Sequence, residues 1–224
     1  DLRFPQGATR AAQQADLALP CATGTCKRYF RNRPTGNDNS SGAAWGWSNY
    51  DHVRYHPWHQ AGGPGGATQT GGNGAVRFVT KAELDMLEAE GHIRKGNFAA
   101  AAALINKTRT LNGLPAITAL DNTSPVPGGA NCVPKVPLPP SFNTVGCGNM
   151  MEAMKYEKRI ESLLSSFSGW YLDMRGWGDL PENTGLHWAP PFEDLQARGR
   201  TGGQIYSTGG GLAGSSAAKG TYGW

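Results

Sequence analysis

Thr80–Pro115 reads TKAELDMLEAEGHIRKGNFAAAAALINKTRTLNGLP, and the fold class turns on this stretch. Thr80 followed three residues later by Glu83 has the spacing of a capping box, so a helix is expected to start here. Val79, Leu84, Leu87 and Ile93 fall on a rough helical stripe, which makes them the expected core face. Gly91 or Gly96 would end the helix. Asn97 is placed to cap a second one, Phe98 to Leu111, with Phe98, Ala102 and Ile105 on one side. Asn112-Gly113 is a left-handed stop. Two helices joined by a short Gly-containing turn make a helical hairpin, the unit of tetratricopeptide-like repeats.

Outward from the hairpin, a Pro-rich excursion over 114–148 leads to a third helix expected from about Asn149 to Phe167. Met150, Met154, Ile160, Leu163, Leu164 and Phe167 would line its core face. Glu152, Lys155, Glu157, Lys158, Arg159 and Glu161 supply mixed charge at i,i+4 spacing. Trp170-Tyr171-Leu172-Asp173-Met174-Arg175-Gly176-Trp177 is read as a turn beyond it, with Glu157, Arg159, Glu161, Asp173 and Arg175 as a structural ion-pair network. The chain is therefore expected to be mainly α, with long ordered Gly-, Pro- and Trp-rich loops. Three regions follow: an irregular aromatic- and Gly-rich stretch over 1–75, a helical core over 76–189, and an extended Gly-rich tail over 190–224.

Composition narrows the classes. Of 224 residues, 32 are Gly and 15 Pro, about a fifth of the chain, and only 38% are hydrophobic, yet there are 7 Trp and 7 Tyr. That mix suits a modest core carrying loops rather than a disordered or collagen-like chain. A formal charge of +4 is too small to argue for nucleic acid. Lys27, Arg28, Arg31 and Arg33 form the one local basic cluster, which reads as a solvated face. No stretch approaches the roughly 18 apolar residues that cross a bilayer. The chain starts at Asp1 without a signal peptide, so an exported protein would here be processed or partial.

Cys21, Cys26, Cys132 and Cys147 pair locally in Gly/Pro/Asn-rich loops, and two loop-stapling disulfides are the expectation. A zinc site is the rival, although neither pair has a His within a few residues. Disulfides would place the protein outside the cytosol. His52 and His56, at i and i+4, with His59 and Asp51, could share a metal only on a helix, and Pro57 disfavours one there. No metal and no cofactor is expected. G-x-S-x-G, P-loop and Cys/His catalytic pairings are absent, so no catalytic residue is assigned.

Several pieces then resemble the SusD/RagB family, C-terminal half only. Glu83, Met86, Ala89 and Glu90 occupy its E-x-x-L-x-x-A-E-A pattern, and Gly96-Asn97 the break that follows. Ile105-Asn106-Lys107-Thr108-Arg109-Thr110-Leu111-Asn112-Gly113-Leu114-Pro115 is similar to I-N-x-V-R-x-R-A-G-L-P. Glu157-Lys158-Arg159-Ile160-Glu161 and Trp170 to Gly178 are similar to E-R-R-x-E-L and W-x-D-L-x-R-W-G, and Asp1-Leu2-Arg3-Phe4 resembles a D-P-R segment. The structural motif thus comprises Glu83, Glu90, Asn106, Arg109, Glu157, Arg159, Glu161, Asp173, Arg175 and Trp177. The family's N-terminal half, with its lipidated cysteine, is absent, and no lipid anchor is assigned.

The resemblance implies a non-enzymatic, extracytoplasmic binding protein on the periplasmic side or outer-membrane surface. It would capture an oligosaccharide or peptide with a TonB-dependent transporter as partner. Trp45, Trp47, Tyr50, Tyr55 and Trp58 would stack on a sugar face, with Asn49 and Asp51 taking its hydroxyls. The alternative is a shortened family member serving as an extrinsic structural subunit that stabilises a photosynthetic, transport or secretion complex.

Overall fold

The computed structural model describes residues 1–16, 28–32, 50–52, 54, 78–138, 143–165, 169–180 and 192–199. Among them the chain is mainly α: α1 (Arg10–Ala15), α2 (Lys81–Arg94), α3 (Phe98–Leu111), α4 (Met150–Glu161), α5 (Gly169–Trp177) and α6 (Phe192–Ala197). Two short antiparallel pairs accompany them, β1 (Phe30–Asn32) with β2 (Tyr50–His52), and β3 (Lys135–Leu138) with β4 (Thr144–Cys147). The chain divides into two compact units, Asp1–Ser165 and Ser166–Trp224.

In the first unit α2 begins where its cap demands. Thr80 Oγ1 accepts from the Glu83 amide at 3.1 Å. The helix runs through Gly91 and stops at Gly96, whose φ of +75° a residue with a Cβ adopts only under strain. There the Gly96 and Asn97 amides donate back to the Ile93 and His92 carbonyls. Asn97 sits at the N-cap of α3, but its side chain makes no capping hydrogen bond. Gly113, at φ +75°, ends α3 after Asn112.

The buried face of α2 is not the expected one. Glu83, Met86, Ala89 and Ile93 are buried, whereas Val79, Leu84 and Leu87 are exposed. The hairpin selects its small side chains. Ala89 of α2 and Ala101 and Ala102 of α3 let the two backbones approach closely, with Met86, Leu104 and Ile105 filling the space around them. A face led by Leu84 and Leu87 would hold the axes further apart.

Asn106 ties α3 to the excursion that follows. Its amide nitrogen donates to the Ile117 carbonyl at 3.0 Å, and its Oδ1 accepts from the Ile117 amide at 2.8 Å. The side chain thus imitates a neighbouring strand. Asn106→Ala leaves both groups of the buried Ile117 backbone unpaired, and a loss of about 1–3 kcal/mol in urea denaturation is expected. A cost near zero would mean that the loop, rather than the clamp, sets its own path.

The excursion delivers the cap of α4. Asp121 Oδ1 accepts from the Thr123 and Ser124 amides, and these bonds, Ser124 foremost, hold its carboxyl down to about 2. The turn so formed presents Asn122, whose Oδ1 takes the Met151 amide at 2.8 Å while its carbonyl takes the Asn149 side chain. Asn149 Oδ1 completes the cap on the Glu152 amide. Cys132 and Cys147 form a disulfide closing a 15-residue separation, beside the Lys135–Cys147 register of β3 and β4.

Helix α4 packs Met150, Ala153 and Met154 against the hairpin. It ends at Glu161, short of the expected Phe167. Ser162 and Ser165, poor helix formers, close it with local bonds, and Leu164 takes φ +62° with its side chain exposed. Leu164 is therefore not a core residue. In the second unit the Trp170–Trp177 stretch, expected as a turn, is helix α5. Gly178 follows it at φ +74°, and the Asp179 amide donates to the Met174 carbonyl. Leu180 and Leu195 are buried there.

Candidate functional site

The polar face of α4 is where distant segments meet. Glu157 and Glu161 lie one helical turn apart, and both are buried. Two like charges at i,i+4 would repel in an isolated helix, and three arginines from other segments meet them here. Arg3 is the first. Wholly buried, it donates from Nη1 to Glu157 Oε2 at 2.7 Å and to Glu161 Oε1 at 3.1 Å, and from Nη2 to Glu157 Oε1 at 3.1 Å. Its Nε and Nη2 also engage the Asp1 carboxylate. Burial works against its charge, yet Glu157 and then Glu161 raise the guanidinium above its usual range.

Arg54 is the second cation, donating to the Glu161 carbonyl at 2.6 Å and to Oε2 at 2.9 Å. It lies 4.3 Å from the centroid of the Tyr29 ring, and the Tyr29 hydroxyl also donates to Glu161. The third, Arg109 from α3, stands 3.8 Å from Glu157 with Nη1 and Nη2 buried and lacking a hydrogen-bond partner among the described residues. Burial, reinforced by Arg3, depresses its affinity for its proton. Tyr156 donates to Asp1 at 2.8 Å and flanks Arg3. Three guanidiniums thus face the carboxylates of Asp1, Glu157 and Glu161.

Two phenols in this cluster give a pH prediction. Burial, and next the Glu161 charge, push the Tyr29 hydroxyl above its ordinary value, and burial does the same for Tyr156. A raised folded-state value contributes stability that is complete below the unfolded tyrosine range, near 10, and is lost as pH rises through the folded value. Stability from urea denaturation should thus fall from about pH 10 upward, and Tyr29→Phe should flatten that decline. An alkaline limb equally steep in Tyr29→Phe and the parent chain would refute the assignment.

The ionic cluster holds the β1–β2 hairpin. The Tyr29 and Phe30 amides both donate to the Arg3 carbonyl, at 2.8 and 2.9 Å, and Phe4 stacks on Phe30 with centroids 4.7 Å apart. His52 meets the edge of Phe30. Tyr50 remains exposed, its hydroxyl donating to Gln13 Oε1. Asp51 pairs with Arg31 in register. Trp45, Trp47, Asn49, Tyr55, Trp58, His56, His59, Cys21 and Cys26 lie outside the described residues.

The remaining motif residues separate by location. Glu83, Arg109, Glu157 and Glu161 are buried, Asn106 clamps its loop, and Glu90 makes a helical ion pair with Arg94 at 2.6 Å. Arg159 is half-buried on α4, and Asp173, Arg175 and Trp177 are half-buried on α5 of the second unit. An open depression of about 450 Å³ lies at the start of α3, lined by Gly96, Asn97, Phe98, Ala99, Ala100 and Leu120. Among the described residues no group of His, Cys, Asp and Glu is arranged to hold a metal ion.

No family model, curated protein or solved structure matches the chain. The anchoring roles of Arg3, Tyr29 and Arg54 escaped the sequence reading. The signal present was Glu157 and Glu161, an acidic pair on one helix face.

Proposed function

We propose that this chain is a non-enzymatic docking and capture protein of the extracytoplasmic SusD/RagB type, its α2–α3 pair serving as a tetratricopeptide-like hairpin. The observation that carries the reading is the anchoring of the β1–β2 hairpin. Glu161 of α4 binds Tyr29 and Arg54, on either side of the hairpin, while Tyr50 stays open to solvent. An exposed aromatic side chain on an anchored hairpin suits capture of an oligosaccharide or peptide for a TonB-dependent transporter. Titration calorimetry against oligosaccharide and peptide libraries tests it. Tyr50→Ala should weaken whatever binds by about three- to tenfold. Binding unchanged by Tyr50→Ala, Trp45→Ala and Trp58→Ala would sink the capture reading.

One observation favours the second reading, an extrinsic subunit stabilising a membrane complex. Leu84 and Leu87 on α2, with Phe78 and Val79 before it, are exposed, and clustered exposed apolar side chains favour protein contacts. No helix among the described residues is long and apolar enough to cross a membrane; on this reading the partner carries the membrane association. Co-purification with a membrane complex, abolished by Leu84→Asp while ligand titration is unaffected, would select this reading over capture.

A further inference from the structure

Asp1–Pro5 is held by the first unit as a peptide is held by a receptor. Its backbone bonds on both sides: the Leu2 amide donates to the Asn112 carbonyl at 2.9 Å, and the Arg3 carbonyl accepts from Tyr29 and Phe30. Leu2 lies over Gly113, where an added Cβ would approach it to 3.1 Å. Phe4 stacks on Phe30, and between these two contacts the Arg3 side chain enters a wholly buried slot. The segment is a turn, closed by the Phe4 amide on the Asp1 carbonyl at 3.3 Å, and it presents one buried anchor between two surface contacts.

The slot is specific in its chemistry. Glu157 takes both Nη atoms of the guanidinium, Glu161 takes a second bond from Nη1, and the Tyr156 ring lies 5.5 Å from its carbon. A forked, planar cation satisfies these acceptors together; an ammonium on a lysine stem cannot. We propose that this groove is an arginine-peptide receptor, filled in cis by Asp1–Pro5, and that its ligand class is a turn-forming segment with arginine between an aliphatic and an aromatic residue. The inference is independent of the capture and subunit readings.

The test uses the full chain carrying Arg3→Ala and the peptide acetyl-Asp-Leu-Arg-Phe-Pro-amide. At roughly tenfold above half-saturation the peptide should raise the melting temperature of the variant by about 3 °C or more. Counterparts with alanine or lysine at the third position should not. The parent chain should not respond, because its tethered segment competes at an effective concentration on the order of millimolar. Arg3→Lys, which keeps the charge and loses the fork, provides a second host. If neither variant folds alone, the arginine peptide added during refolding must restore the helical signal. Stabilisation no greater than that from the alanine peptide, or a failure to restore folding, overturns the proposal.

Discussion

Glu157→Ala is expected to destabilise the protein by about 3–5 kcal/mol, the range for removing one partner of a buried ion pair. Glu157 is fully buried, receives two hydrogen bonds from Arg3, and stands 3.8 Å from Arg109. Its loss removes the carboxylate beside Arg109 and two of the hydrogen bonds of Arg3, which keeps those to Asp1 and Glu161. Arg109 is the more vulnerable, since both its Nη atoms already lack a hydrogen-bond partner among the described residues. Glu157→Gln keeps an acceptor and removes the charge, and should fall between the parent chain and alanine. Arg3→Met combined with Glu157→Leu removes cation and anion together and should cost less than the sum of the single changes, with a coupling of about 2 kcal/mol or more. Glu90→Ala, which breaks only a helical i,i+4 pair with Arg94, is the control at about 0.5 kcal/mol. Urea denaturation of this set decides the matter. A Glu157→Ala cost no larger than that of Glu90→Ala would show the cluster to be energetically idle.

The contrast between the hairpin and this cluster explains what could be read from sequence. Thr80, Gly96 and Asn112-Gly113 act through backbone geometry within a few residues of themselves, so the bounds of α2 and α3 were legible. The buried face of α2 was not. Choosing Ala89 and Met86 over Leu84 and Leu87 depends on how closely α3 approaches, and the alanines at 101 and 102 decide that from outside the helix. The end of α4 was overshot because Leu163 and Leu164 continue an apolar pattern that Ser162 and Ser165 interrupt with side-chain and backbone bonds. Arg3, Tyr29 and Arg54 meet on Glu161 across separations of more than a hundred residues. A lone sequence carries only a faint trace of that meeting, the Glu157–Glu161 spacing.

Removing the Cys132–Cys147 disulfide, as Cys132→Ala with Cys147→Ala, is expected to cost about 2–3 kcal/mol, close to the chain-entropy value for a loop of this length. The loss should be concentrated in the excursion. Gly148 still exchanges hydrogen bonds with Val126 and Pro134, and Asn122 still caps α4, so the α2–α3–α4 packing retains its own supports. Amide exchange should therefore accelerate over 128–147 and leave Met86, Ala89 and Ile105 protected. The disulfide sits by the first residue of α4, and Glu157 lies seven residues along it, about 10 Å at the helical rise. At that separation, with no partner shared, the two perturbations should add to within about 0.5 kcal/mol. Strong non-additivity would require α4 itself to change register or fray when its capping loop loosens. The ion cluster would then depend on the disulfide, and the loop could no longer be treated as a separate staple.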